Sequence, residues 1–127
     1  MTKRYFVRER DVATYHPANH SGTTNRRLIG PETVGAKNIE VVLGVIEKNE
    51  GAAPHAHPDM EQVCYVLEGT AIAEVGGERC ELKPGDSCYF PAGAMHTFTA
   101  TSDTPVKVLV IYSPPYGESP ERVVRPK

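Results

Sequence analysis

Gly51-Ala52-Ala53-Pro54-His55-Ala56-His57-Pro58-Asp59-Met60-Glu61-Gln62-Val63-Cys64-Tyr65-Val66-Leu67-Glu68-Gly69 is the stretch that decides how this chain is read. Two residues separated by one point to the same face of a strand, so His55 and His57 present their imidazoles together. A third imidazole, His96, ends Gly85-Asp86-Ser87-Cys88-Tyr89-Phe90-Pro91-Ala92-Gly93-Ala94-Met95-His96, where proline and glycine punctuate a short apolar run. Neutral imidazole is the commonest side-chain ligand of transition metals. Two of them on one strand and a third from a distant strand form an open set, with positions left for water or substrate. The spacing predicts a metal centre suited to chemistry more than to structural stapling.

Both segments resemble the motifs of the cupin superfamily. The first cupin motif runs Gly, a short spacer, His-x-His, three or four residues, Glu, six residues, Gly. The second runs Gly, five residues, Pro-x-Gly, two residues, His, three residues, Asn, and is matched here from Gly85 to His96 with Ala100 in the Asn place. The resemblance spans residues 51 to 100. It implies an all-β fold, a double-stranded β-helix or jelly-roll barrel, of the small single-domain metal-binding kind. It also implies one divalent transition metal, with Fe, Mn, Ni, Co and Zn not distinguishable, and a homodimer as the default assembly.

The departure from the first motif falls at the fourth ligand. Six residues before Gly69 stands Gln62, and Glu61 is its neighbour. Only one of them faces inward on a strand. Gln62 keeps the family's spacing, shares parity with Cys64 and Val66, and has an amide oxygen able to coordinate a divalent ion. A bulge near Pro58-Asp59 would reverse the choice in favour of Glu61. With His55, His57, Gln62 and His96 as ligands the set is wholly neutral, so the ion keeps its full charge and favours an anionic substrate or hydroxide.

Outward from these motifs the pattern is β throughout. Ile39–Ile46, Val63–Leu67, Ala71–Val75, Arg79–Leu82, Ser87–Phe90, Thr97–Thr99 and Val106–Tyr112 are short runs rich in β-branched and aromatic residues. Gly76-Gly77 suits a two-residue hairpin, and Lys83-Pro84-Gly85-Asp86 suits a type II turn. With 11 Gly, 11 Pro and no sustained 3.6-residue period, long helices are not expected.

The chain's 127 residues suit one core. A net charge of −2, with no basic stripe beyond Lys3, Arg4, Arg8, Arg10 and the Arg26-Arg27 pair, argues against nucleic acid. No apolar run approaches the roughly 20 residues of a membrane span, and the N-terminus is too polar for a signal segment, so the expected address is cytoplasmic. Cys64, Cys80 and Cys88 are odd in number and lack Cys-x-x-Cys spacing; the expectation is small buried hydrophobes, with Cys64 also a pocket-lining thiol.

Residues 1–30 read as a polar N-terminal arm, 31–115 as the barrel and 116–127 as a Pro-rich, charged C-terminal tail. Within the arm, Arg26 or Arg27 is a candidate carboxylate clamp. His16 and His20 are candidate proton-transfer groups, His20 first because Ser21-Gly22 lets the arm turn towards the barrel. Strand parity places Cys64, Val66, Phe98 and Tyr112 towards the interior. It places Val63, Tyr65 and Leu67 outward, on a face available to a second copy or to the domain's own other sheet.

The resemblance bounds the reaction to the lyase, isomerase, decarboxylase and dioxygenase types. It implies a metal acting as a Lewis acid on a small oxygen-rich organic acid. The alternative is a non-catalytic cupin that binds or senses a small molecule; no catalytic acid or base is assigned.

Overall fold

The computed structural model describes residues 5–126; residues 1–4 and 127, with Lys3 and Arg4 of the basic scatter, lie outside the described residues. Nine strands follow one another: β1 (Thr14–Tyr15), β2 (His20–Ile29), β3 (Glu40–His55), β4 (Glu61–Glu68), β5 (Ala71–Val75), β6 (Glu78–Leu82), β7 (Ser87–Phe90), β8 (His96–Ala100) and β9 (Val106–Ser113). Among the described residues the helical content is two 3-10 turns, Glu9–Asp11 and Pro120–Arg122. No described helix is long and apolar enough to cross a membrane.

The strands join in the order β6-β5-β8-β3-β9-β4-β7, with β2 also on β3 and β1 on β2, every pair antiparallel. The result is a nearly closed jelly-roll barrel, the all-β fold expected. Its turns are the expected ones. Gly76 and Gly77 both have positive φ, as a primed hairpin turn requires, and Gly85 takes φ +94° in a turn closed by Asp86 N–H on the Lys83 carbonyl.

β3 decides where the site lies. Its first half runs between β2 and β9, whereas Gly51–His55 crosses to pair with β8 and sets His55 opposite His96. Sequence patterning ends this strand at Ile46, because Glu47-Lys48-Asn49-Glu50 carries no apolar alternation; pairing, not burial, carries it on. β2 is hidden for the same reason. His20–Ile29 lies inside the stretch read as an arm, yet it is a strand of the sheet, paired along β3.

Alternate residues of the strands fill the barrel. Cys64 and Val66 of β4, Ala71 and Ala73 of β5, Phe98 and Ala100 of β8 and Val106 and Val108 of β9 pack with Ile46, Ala52, Leu82 and Phe90. Each full-sized apolar side chain so buried contributes about 1.5–3 kcal/mol. A second, smaller cluster of Val42, Met60, Tyr112 and Tyr116 forms where the chain after β9 folds back over the sheet.

Candidate metal centre

His55 closes β3, His57 stands two residues beyond it, and His96 opens β8. Their donor atoms all lie within 4.8 Å of one another, and all three side chains are buried. Each ring is held by a backbone carbonyl: His55 Nδ1 by Ala53 at 2.7 Å, His57 Nδ1 by Arg122 at 2.7 Å, and His96 Nδ1 by Ala94 at 3.1 Å. With Nδ1–H donating to a carbonyl, the lone pair of each neutral ring is on Nε2.

Two of those lone pairs, and a neighbouring amide oxygen, have no partner among the described residues. His57 Nε2, His96 Nε2 and Gln62 Oε1 are buried without a hydrogen-bond partner among the described residues. An unpaired buried polar atom costs about 1–3 kcal/mol, so such a set calls for a common partner that accepts electron pairs, as a metal cation does. Burial also holds the imidazoles neutral. It lowers His55 and His57 and takes His96 from 6.5 to about 3, so near neutral pH no proton competes for the donors. The residues present fit a divalent transition metal.

From Glu61 to Val66, β4 keeps its register, which shifts only beyond Val66: Cys64 and Val66 are buried, and Gln62 lies between Tyr112 and Phe90 on the same face. Glu61 is exposed, and its carboxylate accepts a 2.6 Å hydrogen bond from the Tyr89 hydroxyl. Gln62 is thus the inward residue of the pair.

The space beside the histidines is small, ≈ 30 Å³, room for a few atoms. Its walls are apolar, including Ile46, Phe90, Phe98, Val108 and Val110, with Cys64, Gln62 and His20. His20 and Ala52 also border a more open recess of ≈ 420 Å³, whose lining includes the polar Asn19, Ser21, Asn49 and Glu50. His20 Nδ1 meets Thr23 Oγ1 at 3.2 Å; that hydroxyl donates to the Ser21 carbonyl, so it accepts from His20, whose Nε2 is bare. Burial, with the nearby His55 and His57, lowers His20 to about 4.

The other candidates from the arm lie elsewhere. His16 Nδ1 meets the Thr23 carbonyl, Arg26 donates to the Glu9 and Val12 carbonyls, and Arg27 pairs with Glu40 and Glu32 while lying over Tyr15. Neither arginine nor His16 lines the interior space. Cys64 and Phe98 do line it, whereas Val66 belongs to the core and Tyr112 packs against His57 and Tyr116. Cys64 is buried and Cys88 half-buried, but Cys80 is exposed where burial was expected: it shares the face of buried Leu82 and Ala73, yet lies on the edge strand β6, which among the described residues has a neighbour on one side only. Arg122 gave no signal in the sequence, because it serves His57 through its backbone carbonyl, which every residue type possesses.

Residues 42–112, more than half of the chain, match the cupin domain family, Cupin_2. The chain is a cupin. An uncharacterised protein of Aquifex aeolicus is 37% identical to this cupin over 87 residues, covering 68% of this chain and 69% of its own. The tetracenomycin polyketide synthase protein TcmJ of Streptomyces glaucescens is 29% identical over 105 residues, 81% of this chain and 69% of its own. Among solved structures, the polyketide cyclase RemF from Streptomyces resistomycificus shares 27% identity with a TM-score of 0.73, covering 96% of both chains.

Proposed function

We propose that this cupin is a metal-dependent enzyme acting on a small oxygen-rich organic acid, with one divalent transition metal held by His55, His57, Gln62 and His96. The observation that carries the reading is the convergence of buried, unpartnered acceptors: His57 Nε2, His96 Nε2 and Gln62 Oε1. A metal bound there supplies Lewis-acid polarisation of substrate oxygens. The wholly neutral donor set favours a carboxylate or enolate ligand.

The chain's own residues do the rest. Ala53, Ala94 and Arg122 carbonyls hold the three rings in the tautomer that keeps Nε2 bare. Mostly apolar walls surround the space beside the donors, so the coordinating end of the substrate enters there while its remainder lies in the polar recess bordered by His20 and Ala52. His20, neutral and shared by the interior space and the outer recess, accepts a proton there. The likeness to TcmJ and RemF supports a keto-rich substrate within this class. Outward-facing Tyr65 and Leu67, with half-buried Val63, support pairing with a second copy.

The small volume beside the histidines favours a second reading, a binding module without turnover, in which only the ligand's terminal atoms enter the barrel. Elemental analysis of protein purified without added metal or chelator, beside His57→Ala prepared identically, tests the metal. Near one transition metal per chain, lost in the variant, supports the enzyme; none in either, even after reconstitution with Fe(II), Mn(II), Ni(II), Co(II) or Zn(II), refutes it. Oxygen uptake by the loaded protein with keto acids then separates a dioxygenase from a lyase, isomerase or decarboxylase. Thermal stabilisation by those acids with no product formed marks the binding module.

A further inference from the structure

The three imidazoles are held in different ways. Ala53 and Ala94, which orient His55 and His96, each stand two residues before the histidine they serve. Arg122, which orients His57, is 65 residues away. His57 thus takes its aim from a segment that reaches the site only by folding back across the barrel.

That segment is fastened at several points. Gly117 N–H meets Glu40 Oε1 at 3.4 Å, and Ala18 N–H donates to Glu118 Oε2 at 3.2 Å. Tyr116 is buried, with its ring centroid 4.8 Å from that of His57. Val124 and Ala56 exchange two backbone hydrogen bonds of 2.7 Å, on the residue between His55 and His57. Arg122 Nη1 lies 3.1 Å from Asp59 Oδ2, and Arg125 Nε donates to Asn19 Oδ1. The Arg122 carbonyl is therefore locked from both sides, by the ion pair of its own side chain and by the bridge at Val124.

We propose that residues 116–125 are a working part of the centre, with Arg122 a positioning residue whose backbone carbonyl fixes the tautomer and direction of His57. The metal arm of the proposal rests on the function given above; the tautomer arm does not. The segment's docking and metal affinity are then coupled, because releasing the segment frees Nδ1–H and lets the proton move to Nε2, the atom that must stay bare.

The test uses the full chain carrying Arg122→Ala with Val124→Pro, which removes the ion pair and one of the two bridge hydrogen bonds. Val124→Ala, which keeps the backbone N–H, is the control. In metal-free protein, two-bond proton–nitrogen correlation spectra report the tautomer of each histidine. Wild type and control should show His57 with Nδ1–H. The release variant should show Nε2–H character at His57 alone, with His55 and His96 unchanged. Competition with a chromophoric chelator should show Co(II) or Zn(II) binding weakened about 10- to 100-fold, as expected when the group orienting a ligand is lost. In a His57→Ala background, which loses its metal on purification but is titrated here at high Co(II) or Zn(II) to measure the weak residual binding, the same release should weaken binding no further.

His57 remaining in the Nδ1–H form with affinity within about threefold of wild type would overturn the proposal. So would equal changes at all three histidines, or weakening that persists without His57, since both mark general loosening. Val124→Pro alone gives the same readout if the double variant fails to fold. A wild type that binds neither metal overturns the metal reading and leaves the tautomer measurement to decide this one.

Discussion

Replacing Gly51 with alanine should separate the steric demand of the site from the ordinary needs of a glycine turn. Gly51 takes φ +145°, and a Cβ there would lie 2.0 Å from the Phe98 carbonyl oxygen, with Thr99 Cα at 3.3 Å. Real Cβ atoms do not approach closer than 3.0 Å, so β3 and β8 must part by about 1 Å where Gly51 faces Thr99. Positive φ costs an L-residue about 1–3 kcal/mol. Forcing packed backbone apart costs about 1–3 kcal/mol more. A loss of about 4 kcal/mol, or roughly 15 °C in Tm for a domain of this size, is expected. Gly76→Ala is the control, because Gly76 also has positive φ, +56°, with nothing within 4 Å of its Cβ; it should lose only about 1–2 kcal/mol. Urea unfolding of both variants, with metal content of the folded fractions, gives the comparison. Since the same pairing sets His55 against His96, Gly51→Ala should also retain less metal. Stabilities of the two variants within 1 kcal/mol would refute the steric account.

Exchanging the charge at the two neighbours of β4 should act on one only. Gln62→Glu is expected to tighten metal binding and weaken azide binding to the Co(II) form at least tenfold, an electrostatic effect of about 1.4 kcal/mol or more. Glu61→Gln, whose partner is the exposed Tyr89 hydroxyl, should change neither. His20 titrates near 6.5 in the unfolded chain and, buried, near 4 in the fold. As pH falls from about 6.5 to 4, the unfolded state gains a proton the folded state refuses, and stability drops by up to about 1.4 kcal/mol per pH unit. Urea titrations in chelator should show that slope reduced in His20→Gln; equal slopes would sink the assignment. Glu40, 1% exposed and 2.9 Å from Arg27, is expected to cost about 3 kcal/mol as Glu40→Ala, the low end for a broken buried pair because Arg27 keeps Glu32 and Tyr15. A denaturation midpoint unchanged from wild type would count against it.

What could be read from the chain was whatever leaves a periodic or positional mark on side chains. His55, His57 and His96 stand at strand-spaced positions bounded by Gly and Pro, and the period of β4 told Gln62 from Glu61. What escaped were elements held by backbone pairing. β2 carries polar residues such as Ser21, Thr23, Thr24 and Asn25, and finds its place through its register with β3. The second half of β3 is polar for the same reason. Arg27 looked like a substrate clamp because a sequence does not show that Glu40, far along the chain, waits for it in the interior. Arg122 was invisible altogether, since a carbonyl has no letter of its own.

Proteins are made from one end, and here that direction gives the centre a history. Every strand of the barrel precedes Arg122 in the chain, so strand pairing alone gives His55 and His96 their local carbonyls, whereas His57 gains its own only when the last segment docks. For an ion bound as proposed, the first hold during folding would then be a pair of histidines, with selectivity tightening only when the late segment arrives to aim the third. Metal choice would then be a matter of timing as well as of ligands, with early arrivals exchangeable until the fold closes over His57.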